Sequence, residues 1–301
     1  MSLRAELLRL GLRATFKRRE HAVPDLADMR AQMERVTWFV PRPPKGTAAV
    51  RTTMGGVPAV RVTTRLSRTD RHILYLHGGG YVCGRPVHYR DFTWRIADAA
   101  AATMHMLDYR LGPEHPFPAA VDDAASAYRA LLAAGADPRR LAIMGDSAGG
   151  GLTFAALLKL RDEGAPMPAA AVALSPWTDL TLSSESCTRF AKADPMLSAT
   201  PAKVFVRWYL GDADPKHPYA SPMFGDPAGL PPSLIQVGSD EILHDDSVRW
   251  GERMRDAGVA AEVEVWRRMP HVWQMSARML PEGRNAIRRI GAYLQDRLAS
   301  D

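Results

Sequence analysis

From residue 72 to residue 177 the chain alternates short apolar runs with segments of helical periodicity. HILYLHGGG (72–80) reads as a buried strand running into glycines and RDFTWRIADAAAA (90–102) as a helix. TMHMLDYR (103–110) is a strand, AAVDDAASAYRALLAAG (119–135) a helix, and RLAIMGDSAGG (140–150) a strand again. GLTFAALLKLRDEG (151–164) is a helix that stops at Gly164, and PAAAVALSPW (168–177) is a strand. Strands that are apolar throughout need cover on both faces, and an intervening helix lets successive strands run parallel. The pattern therefore predicts an α/β fold with a mostly parallel central sheet and helices on both faces.

The rhythm breaks on either side of this stretch. AAVRTTMGGVPAVRVTT (48–64) reads as two strands about a tight Gly-Gly turn. Ahead of it, RAELLRLGLRATF (4–16) has helical spacing, with Leu7, Leu8 and Leu12 near one face. PDLADMRAQMERV (24–36) is a second short helix, and PRPPKG (41–46) is a linker. Beyond residue 177, roughly 55 residues separate one strand from the next, PSLIQVGS (232–239), far more than a crossover needs. The gap holds TPAKVFVRWYLG (200–211), a helix with Thr200 at its cap, Pro201 in its first turn and Gly211 at its end. Its apolar face carries Val204, Phe205, Trp208 and Tyr209. This helix either packs on the core or caps a pocket. The chain then closes with helix 245–258, strand 260–268 and helix 283–298.

Gly145-Asp146-Ser147-Ala148-Gly149 fits G-x-S-x-G, which alone is a weak signal. Its position is stronger, because it ends an apolar strand and opens a helix, where a sharp turn lifts one hydroxyl clear of a sheet. Small neighbours let strand and helix pass closely. A serine nucleophile needs a base, and the base needs an orienting acid. On a doubly wound sheet with such a turn, the acid and then the histidine follow the serine in chain order. Of nine histidines only His217, His244 and His271 lie beyond Ser147. His217 lies in the long gap with no strand before it, and His244 is too close to the best acid. His271 follows the strand EVEVW in the loop RRMPHVW, at the sheet edge where sites form. Asp240, at the end of SLIQVGS and 31 positions before His271, is taken as the acid. Asp245 and Asp246 are rivals that instead suit a helix start, and Asp179 is a weaker one.

HGGGY (77–81) supplies a backbone without side chains directly after a strand, as an oxyanion hole for acyl transfer requires. It fits neither phosphate loop: Cys83 replaces the third glycine of a dinucleotide fingerprint, and no Gly-Lys-Ser/Thr is present. Composition narrows the rest. Two cysteines, Cys83 and Cys187, exclude a disulfide scaffold and a Cys-rich zinc site and fit a reducing cytoplasm. The net charge of +6 comes from scattered arginines mostly paired with nearby acids, so no nucleic acid partner is expected. No apolar run reaches the length of a membrane span, and arginines interrupt the leucines at the N-terminus, which therefore lacks a secretory core. Weak surface contact of that basic helix with a membrane is a lesser alternative to a cap helix with exposed arginines.

HGGGYVCG, DYRLGPEHPFPAAVDDA, GDSAGGGL, LSPWTDL, YASPMFGDPAGLPPSLIQVGSDEILHDD and MPHVWQ together resemble the hormone-sensitive-lipase-like group of bacterial α/β-hydrolase carboxylesterases. The likeness runs from about residue 72 to the end, and one departure is Gly112, where the group usually has alanine. The resemblance implies an α/β-hydrolase domain over residues 46–301, capped by helices from residues 1–45 and by an insertion at about 178–220. It implies Ser147, Asp240 and His271 as the triad and Gly79, Gly80 and Ala148 as oxyanion donors, with Glu114 bracing the site. Tyr81, Asp146, Phe205, Trp208 and Tyr209 are the expected substrate contacts. The expected reaction is hydrolysis of short- to medium-chain acyl esters through an acyl-enzyme, with no metal or organic cofactor. Lactone hydrolysis and deacetylation of small metabolites are alternatives in the same class. A ligand-binding receptor on this scaffold is the alternative outside it, disfavoured because His271 is present. A homodimer is an expectation of the family alone.

Overall fold

The computed structural model describes residues 2–17 and 23–299. Two helices, α1 (Leu3–Phe16) and α2 (Leu26–Thr37), precede the hairpin β1 (Ala48–Met54) and β2 (Val57–Thr63). The alternating part follows as β3 (Arg68–Leu76), α3 (Arg90–Ala99), β4 (Ala102–Leu107), α4 (Ala119–Ala133), β5 (Leu141–Asp146), α5 (Ala148–Asp162) and β6 (Ala170–Leu174). The long gap contains α6 (Ser186–Arg189) and α7 (Ala199–Leu210). The chain ends with β7 (Ser233–Gly238), α8 (His244–Asp256), β8 (Ala261–Trp266) and α9 (Pro281–Arg297).

The strands form one sheet in the order β1-β2-β4-β3-β5-β6-β7-β8. β2 pairs antiparallel with β1 and β4, and every other pairing is parallel. The absence of alternation in the central strands has a direct cause. Leu141 and Ile143 of β5 enter one core cluster while Ala142 and Met144 enter the other, so both faces are dry. β3 divides likewise, with Leu74 and Leu76 on one side and Ile73 and Tyr75 on the other. Helices α4, α5 and α8 cover the first face, and α3 and α9 the second. Truncating a side chain such as Ile143 to alanine would cost about 2–5 kcal/mol.

β3 sits between β4 and β5, so the chain winds outward from it in both directions. The carboxyl ends of β3 and β5 flank the point where strand order reverses, the crevice in which such sheets bind ligands. Leu76 of β3 lies in register with Gly145 of β5, which puts the glycine loop beside Ser147.

Two local expectations change. The helix at 90–102 ends at Ala99, and Ala102 already pairs with Arg68, because parallel pairing overrides the helix preference of the alanine run. In α1, Leu7 does not share a face with Leu8 and Leu12. Leu7 is 60% exposed, and the buried residues are Ala5, which packs with Met269, Trp273 and Leu280, and Arg9.

Candidate active site

Ser147 joins β5 to α5 at φ +54° and ψ −122°, a region that residues with a Cβ rarely enter. Three backbone hydrogen bonds hold it there. Its N–H donates to the Leu174 carbonyl at 2.8 Å, and its own carbonyl accepts from Trp177 at 3.0 Å and Gly151 at 3.1 Å. The glycines around it answer to crowding by backbone. A Cβ on Gly149 would stand 2.0 Å from the Leu76 carbonyl oxygen, and one on Gly145 would stand 2.2 Å from that of Gly149. The turn leaves Ser147 only half-buried in the midst of buried residues, so its hydroxyl is reachable.

His271 follows β8 and is buried. Its Nδ1 lies 2.7 Å from Glu241 Oε2. Glu241 is wholly buried, and its other oxygen accepts from Gly238 N–H at 2.7 Å and Ser175 Oγ at 2.8 Å. With Nδ1 engaged by a carboxylate, Nε2 is the nitrogen free to take a proton. Burial opposes the imidazolium, but attraction from Glu241, with smaller contributions from Asp194 and Asp146, outweighs it and holds His271 above the ordinary histidine value. Asp146, the residue before the serine, is thus one of the charges that act on His271. Among the described residues neither Ser147 Oγ nor His271 Nε2 has a protein hydrogen bond.

Asp240, the acid expected from the sequence, does not meet His271. Its carboxylate pairs with Arg9 at 3.0 Å and accepts from Ser239 Oγ at 2.6 Å. Adjacent residues in the turn after β7 point apart, and the one that turns inward is Glu241. The rivals are also engaged elsewhere. Asp245 accepts from the Ser186 N–H and pairs with Arg189, Asp246 accepts from Thr178 and Asp179 N–H groups, and Asp179 accepts from Thr181 and Ser183 hydroxyls. His244 meets Asp245, and His217 packs against Phe117 and Tyr219.

The loop after β3 turns through Gly79 (φ +120°) and Gly80 (φ +63°). A Cβ on Gly79 would lie 2.0 Å from the Cys83 carbonyl oxygen, so only glycine fits. His77 fixes the loop by donating from Nδ1 to the Gly78 carbonyl at 2.7 Å, and Tyr109 donates to the His77 carbonyl at 2.6 Å. The N–H groups of Gly79 and Gly80, and that of Ala148 at the first position of α5, meet no acceptor among the described residues. They are backbone donors that an oxygen of a bound molecule could occupy.

The expected substrate contacts divide. Asp146 is buried behind the serine, where Oδ1 accepts from Tyr75 Oη at 2.5 Å and from Gly78 N–H at 2.9 Å, so it anchors the glycine loop and is no open contact. Burial outweighs these bonds and raises its pKa to about 6. Tyr81 and Tyr209, the latter on α7, are buried in a face-to-face stack 3.9 Å apart. Phe205 and Trp208 remain partly exposed on α7, and Phe205 presses its ring against Gly80 of the glycine loop. Glu114 pairs with Arg30 of α2, which also donates to the Val82 and Gly112 carbonyls and so braces the loop below Tyr81. Cys83 is buried with its thiol raised to about 11, in keeping with a packing residue. No group of three metal-ligating side chains occurs among the described residues, and no helix there is long and apolar enough to cross a membrane.

Comparisons with known proteins meet this geometry. The family described as alpha/beta hydrolase fold matches residues 73–275. An acetyl-hydrolase of Streptomyces hygroscopicus is 48% identical over 232 residues, 77% of this chain and 78% of the relative. An esterase of the bacterial hormone-sensitive lipase family superposes with a TM-score of 0.93 at 43% identity, covering 99% of each chain. The esterase EstE5, whose crystals were soaked with p-nitrophenyl butyrate, superposes with a TM-score of 0.92 at 42% identity over the whole of both chains.

Proposed function

This chain belongs to the α/β-hydrolase fold family and is a carboxylesterase, a serine hydrolase, and on that premise we propose that Ser147, His271 and Glu241 carry its chemistry. The observation that carries this reading is the buried His271–Glu241 pair on loops at the sheet edge that also bears the strained serine. Ser147 Oγ attacks the ester carbonyl while His271 Nε2 takes its proton. Glu241 holds the Nδ1–H tautomer and stabilises the imidazolium that forms. The N–H groups of Gly79, Gly80 and Ala148 receive the oxyanion. His271 then protonates the departing alcohol, and water repeats the sequence to release the acid.

The reading extends to the cap and the substrate. Helices α1 and α2 with the segment at about 178–220 form a cap, and Phe205 and Trp208 meet the acyl or alcohol group of a short- to medium-chain ester. Phe205 against Gly80 supports this, since it puts an apolar ring over the oxyanion loop. Two buried free thiols suit a cytoplasmic setting, and a homodimer rests on the family resemblance. No observation favours the receptor alternative, and the buried His271–Glu241 pair supports the enzyme reading. The test is hydrolysis of p-nitrophenyl esters from acetate to decanoate, with a lactone alongside, by wild type and Ser147→Ala. Turnover of the acetate to hexanoate esters that vanishes in Ser147→Ala is expected, and equal rates would refute the reading.

A further inference from the structure

Glu241 and His271 stand on different loops, one after β7 and one after β8, and their bond survives only if those loops keep their spacing. The side chain of Arg9, nearly buried on the inner face of α1, reaches three segments at once. Its Nη2 meets Asp240 Oδ2 at 3.0 Å, in the residue preceding Glu241. Its Nη1 donates to the Arg268 carbonyl at 3.1 Å, in the loop leading to His271. Nη2 also donates to the Ala193 carbonyl at 3.3 Å, in the long gap segment. The contact is reinforced from both ends. Ser239 Oγ donates to Asp240 and accepts from the Arg268 N–H at 2.9 Å, and the Arg268 side chain pairs with Glu6 of α1 at 2.9 Å. Next to Ala193, Asp194 is buried and accepts from Ile242 N–H at 2.9 Å, the residue following Glu241, and from Met196 and Leu197 N–H groups at 2.8 Å each. Glu241 is thus held by its neighbours on both sides, through Arg9 on one and Asp194 on the other.

We infer that Arg9 is a positioning residue: by joining Asp240, Arg268 and Ala193, it sets the separation of the acid loop and the histidine loop and makes α1 part of the catalytic apparatus. This rests on the triad proposed above. A planar guanidinium suits the task because its fixed fork serves a carboxylate and two carbonyls together, which a lysine ammonium on a flexible stem cannot match. The residue that resembled the catalytic acid in the sequence is, on this reading, the handle by which α1 holds the true one.

The test uses the full-length chain with Arg9→Met, Arg9→Lys, Asp240→Asn and the Arg9→Met/Asp240→Asn double variant. Active serines are titrated with a phosphonate ester, and kcat and KM for p-nitrophenyl acetate are followed from pH 5 to 9 beside thermal melting. The charged groups facing His271 are Glu241, Asp194 and Asp146. Loosening Glu241 weakens the attraction that raises His271, so the acid limb of the rate profile should move to lower pH. Arg9→Met is expected to lower kcat per titrated serine by about 10- to 100-fold with little change in KM. Arg9→Lys should recover part of the loss, and the double variant should be no slower than the slower single. An unchanged kcat per titrated serine and an unmoved acid limb, with only a lower melting temperature, would reduce Arg9 to a structural contact and overturn the inference. If Arg9→Met does not fold, Asp240→Asn decides by the same two readouts. A wild type that turns over where Ser147→Ala does not keeps the triad reading intact whatever the Arg9 variants do, whereas an inactive wild type sinks both.

Discussion

Replacing Glu241 by glutamine separates the two adjacent acids most sharply. The amide keeps the volume of the carboxylate and an oxygen for Gly238 and Ser175, but removes the charge beside His271. With the imidazole and carboxylate about 4 Å apart between charge centres, and an effective dielectric constant near 20, that attraction is about 4 kcal/mol. It acts fully when His271 becomes an imidazolium in the transition state, so Glu241→Gln should lower kcat by roughly 10³-fold. Asp240→Asn removes a charge that touches Arg9 and not His271, and its loss should stay near 10-fold or a little above. The pH profile gives a second measure. Glu241 raises His271, so wild type should lose kcat/KM as pH falls through a value above 6.5, and Glu241→Gln should carry that limb to lower pH. Steady-state kinetics on p-nitrophenyl acetate from pH 5 to 9, normalised to titrated serine, read both. A loss in Asp240→Asn equal to or greater than that in Glu241→Gln, or a limb that stays in place in Glu241→Gln, would refute the assignment of Glu241.

Three further outcomes follow from other parts of the site. Ser147 stores strain at φ +54°, so Ser147→Gly should be more stable than Ser147→Ala by about 1 kcal/mol in urea denaturation, despite the flexibility glycine adds to the unfolded chain; a less stable glycine variant would mean the turn is not strained. Asp146 has a folded pKa of about 6 against roughly 4 unfolded, so folding favours its protonated form. Its contribution is full below pH 4 and lost as pH rises through 6, a change of about 3 kcal/mol that Asp146→Asn should subtract from the stability difference between pH 4 and pH 7.5 read by urea denaturation; a difference as large in the variant as in wild type would contradict this. Phe205→Ala should raise KM for p-nitrophenyl butyrate about fivefold, the worth of roughly 1 kcal/mol of apolar contact, and leave kcat nearly as it was; an unchanged KM would place Phe205 outside the substrate site.

What could be read from the sequence follows from how local each signal is. The parallel sheet was visible because burial on both faces leaves continuous apolar runs, as Leu141–Met144 shows with two residues in each core cluster. The serine turn was visible because strand, small residues and helix are contiguous in the chain, and His271 because chain order left few histidines to choose from. Asp146, Tyr81 and Tyr209, expected at the substrate, are buried, because proximity in sequence to Ser147 or the glycine loop, or a place on the apolar face of a helix, does not say whether a side chain lines a pocket or packs in the core. That His271 meets Glu241 and not Asp240 has a related reason. Asp240 and Glu241 have the same chemistry and adjacent positions, and a turn sends them to opposite sides. What selects Glu241 is non-local: Gly238, Ser175 and His271 supply three partners for a fully buried carboxylate, while Asp240 finds its cation in α1, more than two hundred residues away in the chain. A buried charge must be satisfied on every side, so the acid that could be buried was decided by residues spread over three loops. The same reasoning makes Asp240 informative, because on the proposed triad an acid held by Arg9 of α1 sits beside Glu241, and exchanging it is expected to shift that neighbour.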